Sequence, residues 1–174
     1  VTQVAILVAC DPPFSDELPC RMLVATEAAG LAALLVLNKV DLGDGLGAAR
    51  ARLAPFAAAG YPVVELSALR DGSPLRAYLA GHQTVLAGQS GMGKSTLLKA
   101  LVPDADVRIG EISRFLSSGR QTTTAARLHA LDDASGVIDT PGVAEFGLAG
   151  FDDHAIAAGF REFRALAGAC IVQG

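Results

Sequence analysis

Short apolar runs alternate with stretches of helical periodicity along the chain, and most of the runs stop on turn or polar residues. Residues 4–9 form an apolar run that stops at Asp11-Pro12-Pro13, which predicts a buried strand followed by a turn. Residues 16–29 carry Leu18, Met22 and Ala25 at helical spacing and stop at Gly30, so a helix is predicted there. A strand is predicted over 34–37, ending at Asn38, then an alanine-rich helix over 47–59 closed by Gly60. A strand over 63–66 ends at Ser67, a short helix follows at 75–80, and another strand occupies 84–87. Strands and helices taking turns in this way predict an α/β fold, with a mostly parallel sheet flanked by helices. Such folds bind ligands beyond the carboxyl ends of their strands, so the residues after each apolar run are where chemistry is expected.

Composition narrows the class. The chain has 174 residues, 51% of them hydrophobic and 18% charged, and a mean hydropathy of +0.41. A domain of this length buries roughly two-thirds of its unfolded surface, enough for a core without disulfides or metals. No apolar run approaches the roughly 20 residues of a membrane span, and no basic segment precedes the first run. A net charge of −4 and a pI near 5.3 argue against this chain alone gripping nucleic acid by its charge. Cys10, Cys20 and Cys170 form no C-x-x-C pair and no metal-like spacing with the histidines, so reduced thiols are expected. His82 and His129 are expected to flank or cap strands, and His154 to face solvent on a helix. Ile156, Phe160, Phe163 and Leu166 fall at helical spacing and are expected in the core. Lysine is rare: two of the three, Lys39 and Lys94, lie in the motifs described next.

The strongest motif is Gly88-Gln89-Ser90-Gly91-Met92-Gly93-Lys94-Ser95, which follows an apolar strand and opens a helix predicted over 96–101. This is the setting of a Walker A loop. Its glycines let backbone N–H groups turn inward around phosphates, and the helix end at Thr96 adds its positive dipole. Lys94 is placed to reach the β- and γ-phosphates, and the Ser95 hydroxyl to bind Mg²⁺. The segment Leu116-Ser117-Ser118-Gly119-Arg120-Gln121 faintly echoes the signature loop of ABC-type ATPases. No helical subdomain separates it from the P-loop and no strand ending in Asp-Glu follows, so that reading fails.

Base choice is predicted by Asn38-Lys39-Val40-Asp41, directly after a buried strand. A carboxylate at Asp41 can accept guanine's N1–H and N2 amino protons, the Asn38 amide can address O6 and N7, and the Lys39 stem can lie along the base. Adenine lacks both donors and would leave Asp41 unpaired. Ser67-Ala68, after the next strand, supplies the backbone N–H that meets O6 in guanine pockets. Asp139-Thr140-Pro141-Gly142 completes the set: Asp139 follows the apolar pair Val137-Ile138 and can hold Mg²⁺ through water, while the Gly142 N–H can sense a γ-phosphate. Between the two phosphate motifs, Thr123 or Thr124 is the candidate second Mg²⁺ ligand.

Common GTPases run P-loop, switch I, D-x-x-G, N-K-x-D, S-A-x; here the last two come first, which is a circular permutation. That order, together with Gly110-Glu111-Ile112-Ser113, the G-R-x-T-T-T segment at 119–124 and D-T-P-G-V-A-E-F-G-L at 139–148, resembles the RsgA/YjeQ group of small-ribosomal-subunit-dependent GTPases. The likeness covers nearly the whole chain. It implies a circularly permuted P-loop GTPase domain over 1–174, without the family's N-terminal OB-fold and C-terminal zinc domain, and so no zinc. It further implies GTP/GDP and Mg²⁺ as ligands, hydrolysis stimulated by the small (30S) ribosomal subunit, and action late in that subunit's maturation. The expected partners are the subunit and its rRNA, not a membrane, and the expected state is a cytoplasmic monomer.

Two departures accompany the resemblance. Val143 stands where Ras-like enzymes place a water-orienting glutamine, and Gln121 stands where this family commonly has histidine. Gln121 is therefore the candidate for positioning the attacking water. A guanine-nucleotide-dependent binding module with little hydrolysis is the alternative. Arg108, Arg114, Arg120 and Arg127 cluster around switch I and are candidate RNA contacts.

Overall fold

Strand β1 (Gln3–Ala9) is buried along nearly its whole length, on both faces. That is the environment of a central parallel strand, and it explains why the sequence there is a continuous apolar run rather than an alternation. The computed structural model describes residues 1–103, 127–139, 148 and 150–164. In it β1 lies between β2 (Ala32–Asn38) and β4 (Gln83–Gly88), parallel to both, with Ala9 opposite Asn38 and Leu7 opposite Gly88. β3 (Val63–Glu65) extends the sheet beyond β2. On the other side β6 (Gly136–Asp139) runs parallel to β4, and β5 (Arg127–Ala130) closes the edge antiparallel to β6. The sheet order is β3-β2-β1-β4-β6-β5. The chain therefore walks outward from β1 to β3 and restarts on β1's other side at β4. A crevice opens at such a reversal, and the ends of β1, β2 and β4 converge there.

The core forms around β1 and β2: Leu34, Leu35, Val36 and Leu37 are fully buried, with Ile6 and Leu7 beside them. Each such side chain contributes roughly 1.5–3 kcal/mol by leaving water. Helix α1 (Glu17–Ala28) buries Met22, Leu23, Val24 and Ala25, and Gly30 ends it at φ 67°. Helix α2 (Leu46–Ala58) buries Ala49 and Leu53 and tolerates an internal Pro55. The carbonyl that Pro55 leaves unbonded belongs to exposed Ala51, where water can satisfy it. A 3₁₀ turn (Ser73–Leu75) leads into α3 (Arg76–Leu79), and α4 (Lys94–Leu101) buries Leu97, Leu98 and Leu101.

The expected strands and helices are present, with ends shifted by a residue or two, and α4 starts at Lys94 rather than at 96. The later part of the chain differs more. His129 lies inside β5 rather than at a strand end. The apolar pattern from Ile156 onward is split between α5 (Asp153–Ala158) and α6 (Arg161–Arg164), and Phe163 is 50% exposed instead of in the core. The break falls at Gly159, whose backbone meets α1: a Cβ there would come within 2.7 Å of Val24 Cγ1 and 2.8 Å of the Val24 carbonyl. His154 is exposed on α5 as expected, and Leu166 lies outside the described residues. No helix among the described residues is long and apolar enough to cross a membrane.

Candidate nucleotide-binding site

Strand β4 delivers the glycine-rich loop into the crevice at the β1–β4 switch point, and the glycines stand where the neighbours leave no room. At Gly88 a Cβ would lie 2.5 Å from the Leu7 carbonyl, and φ there is 152°. Gly93 caps α4 in the left-handed region, at φ 92°, and a Cβ on it would collide with the Asn38 amide. α4 then begins, so its first unpaired N–H groups point into the crevice, as an anion requires.

Lys94, only 9% exposed, curls back over the loop and donates from Nζ to the carbonyls of Gly88 at 2.7 Å and Gln89 at 3.2 Å. Burial pulls its pKa down, and the nearby Asp139 carboxylate opposes that. Asp139, at the end of β6, shows the mirror image: burial raises its pKa, while Lys94 and His129 lower it. A buried cation and a half-buried acid thus act on one another, each imperfectly compensated. Ser95 is half-buried in the first turn of α4, whereas Ser90 and Gly91 are exposed on the loop. Met92 is buried in a hollow lined by Ile6, Phe14 and Met22, so only its backbone faces the crevice.

The turn after β2 is joined to this loop through Asn38. Its side chain is 2% exposed; Nδ2 donates to the Met92 carbonyl at 2.9 Å, and Oδ1 accepts from the Ala68 N–H at 2.9 Å. One Nδ2 proton remains for a base, and the Ala68 N–H is held by Asn38. Lys39 adopts the left-handed conformation at φ 63°, uncommon away from glycine. Contacts on both sides hold it: its carbonyl accepts from Cys10 Sγ at 3.1 Å, and its Nζ donates to the Asp11 carbonyl at 2.7 Å. Asp41 sits in a 3₁₀ turn (Val40–Leu42). Its pKa is held below the ordinary carboxylate value, chiefly by the Ser67 hydroxyl and further by Arg70 and Lys39, against the opposing effect of burial. The Ser67 hydroxyl is buried and makes no hydrogen bond of full geometry.

Asn38, Lys39, Asp41, Ser67 and Ala68 therefore gather on one side of residues 88–96, and Asp139 on the other. Gln121, Thr123, Thr124 and Gly142 lie outside the described residues, as do Arg108, Arg114 and Arg120. Sequence reasoning missed three participants: Cys10, which buttresses Lys39; His129, which lowers the pKa of Asp139; and Arg70, 3.7 Å from Asp41. Strand-end position was a usable signal for Cys10. For the other two only the folded turn and the antiparallel edge create the contact.

A phosphate loop on the switch-point strand, with an N-K-x-D turn and an S-A loop preceding it in the chain, defines a circularly permuted P-loop GTPase fold. The chain belongs to the RsgA GTPase family, whose model matches residues 1–149. It is 48% identical over 172 residues to the small ribosomal subunit biogenesis GTPase RsgA of Burkholderia pseudomallei, a match covering 97% of this chain and 55% of that protein. Among solved structures it is similar to YjeQ from Thermotoga maritima, with TM-score 0.74 and 32% identity over 94% of this chain and 55% of that one. It is also similar to YloQ, described as a circularly permuted GTPase, with TM-score 0.72 and 26% identity over 99% of this chain and 55% of that one. The chain spans about half the length of the curated relatives it matches.

Proposed function

We propose that this domain binds GTP and GDP with Mg²⁺, hydrolyses GTP, and serves in the cytoplasm as the switch of a factor acting late in maturation of the small ribosomal subunit. The observation that carries this reading is the pair of hydrogen bonds made by the Asn38 side chain, which ties a base-side turn to the phosphate loop. A nucleotide that fits the loop then meets Asp41 with the right edge of its base. Family membership supports the activity, and the names of the relatives, small ribosomal subunit biogenesis GTPases, support the partner.

In this reading Lys94 trades its two loop carbonyls for the β- and γ-phosphates, and the α4 amides hold the rest of the phosphate charge. Ser95 and Asp139, with Thr123 or Thr124, are the hard oxygen donors that Mg²⁺ selects. They fit the ion because burial disfavours the ionised Asp139 and a divalent cation restores it. Bound there, Mg²⁺ would neutralise charge developing on the phosphates. Gln121 orients the attacking water, and the Gly142 N–H senses the γ-phosphate. The domain acts as a monomer, with the subunit and its rRNA as partners.

The test is GTP turnover with and without purified small subunits, with ATP as control. Stimulated turnover of GTP alone supports the proposal. Tight GTP binding with no turnover under either condition replaces it with a nucleotide-dependent binding module, and preference for ATP overturns it.

A further inference from the structure

We propose that Arg70 is a built-in competitor for the base pocket: it pairs with Asp41 and must yield that carboxylate when guanine enters. Arg70 thereby sets how tightly the nucleotide is held. The inference rests on the guanine reading of Asp41 and adds a residue that no guanine motif contains.

The loop after β3 is closed on itself. The N–H groups of Arg70 and Asp71 both donate to the Ser67 carbonyl, at 3.0 and 2.8 Å, and Ser67 and Asp71 pair as an isolated bridge. Asp71 in turn accepts from the Ser73 N–H at 2.8 Å and from its hydroxyl at 2.9 Å. This turn is closed by backbone bonds and by the Asp71 side chain, not by the side chain of Arg70. Arg70 Nε comes to rest 3.7 Å from Asp41 Oδ2, with the arginine side chain 72% exposed and the aspartate 13%. The separation is an ion pair but too long for a hydrogen bond, so the guanidinium neutralises the acid without locking it.

Guanine needs both oxygens of Asp41, one for N1–H and one for the N2 amino group. The guanidinium stands beside one of those oxygens, Oδ2. Lys39 also acts on Asp41, but its ammonium is bonded to the Asp11 carbonyl. Among the described residues, Arg70, on a mostly exposed side chain, is the nearby cation free to swing away. An exposed ion pair supports an effect of about two- to fivefold on affinity, not more.

The experiment measures association and release of a fluorescent N-methylanthraniloyl GDP, with the corresponding ADP probe as control, on wild type, Arg70→Ala and Arg70→Lys. Arg70→Ala is expected to bind the GDP probe about two- to fivefold more tightly. Arg70→Lys is expected to fall between it and wild type. Raising the ionic strength should narrow the gap, because it screens the pair only where the pair exists. Unchanged or weaker binding by Arg70→Ala, with an unaltered unfolding transition, overturns the proposal. A wild-type protein that binds the ADP probe as well as the GDP probe fails the guanine reading itself, and the proposal with it.

Discussion

The side chain of Asn38 donates to the backbone carbonyl of Met92, 54 residues further along the chain, and both residues are buried. The same amide accepts from the Ala68 N–H, so three strand ends share one side chain. Truncation to Asn38→Ala strands a buried carbonyl and a buried N–H. Each unsatisfied group costs about 1–3 kcal/mol, so a loss of about 2–6 kcal/mol of stability is expected in urea unfolding. Nucleotide binding should fall further than stability alone accounts for. Asn38→Asp keeps the acceptor for Ala68 but sets a carboxylate against the Met92 carbonyl, and should be no better. If Asn38→Ala unfolds like wild type, the link is not what joins these loops.

In the proposed reading Asp41 recognises a hydrogen-bond pattern rather than a shape, and the pattern can be inverted. Asp41→Asn replaces one acceptor by a donor. Guanine then meets a donor opposite its own N–H, whereas xanthine, with a carbonyl at C2, gains a partner. The variant is expected to bind GDP at least about tenfold more weakly and xanthosine diphosphate more tightly than wild type does. Titration calorimetry with both nucleotides decides it, and an unchanged preference for GDP would sink the assignment of Asp41.

These two sites show what a single sequence can disclose. The phosphate loop and the N-K-x-D turn were legible because their chemistry is local: glycines where the backbone must turn, a lysine and a serine at a helix start, an acid just past a strand. Which partners within the protein each side chain takes was not. Asn38 was expected to face the base, yet the protein takes up most of its bonding capacity, through partners that only the sheet order brings near. The edge strand β5 carries exposed Leu128 and no clean alternation, so nothing in its sequence announced that His129 would lie within a strand and act on Asp139. The break between α5 and α6 depends on Gly159 meeting Val24, a tertiary contact that helical periodicity ignores.

Asp139 predicts a pH dependence of definite sign. Its folded pKa is raised by burial, so the folded state holds that proton more firmly than the unfolded chain does. Stability from this group is complete below the ordinary carboxylate pKa and is lost as pH rises through the folded value. Asp41, Asp71 and Asp132, with lowered pKa values, act in the opposite direction and lose their contribution as pH falls. The difference between wild type and Asp139→Asn isolates the first effect. Without ligand, the variant should be the more stable protein at neutral pH, with the advantage vanishing in acid. Mg²⁺-dependent tightening of nucleotide binding should vanish as well. Equal stability across the pH range would show that Asp139 is not strained in the empty site.

Far from the nucleotide, Arg161 fastens the α5–α6 segment to the body. Its Nε donates to Glu27 Oε1 at 2.6 Å, its NH1 to the Gly60 carbonyl at 2.8 Å, and its guanidinium lies 3.8 Å from the centre of the Tyr61 ring. Glu27 is nearly buried, at 7% exposure against 29% for Arg161. Removing the arginine leaves a desolvated carboxylate without this partner, which outweighs the pair's own net attraction. Arg161→Ala is therefore expected to cost about 2–4 kcal/mol, below the most buried pairs because part of the guanidinium already meets water. Removing both charges together, as Glu27→Gln with Arg161→Leu, should recover much of that loss. Urea unfolding of the two variants separates the accounts: if the double variant is no more stable than the single one, packing on Tyr61 and not the buried charge holds the segment in place.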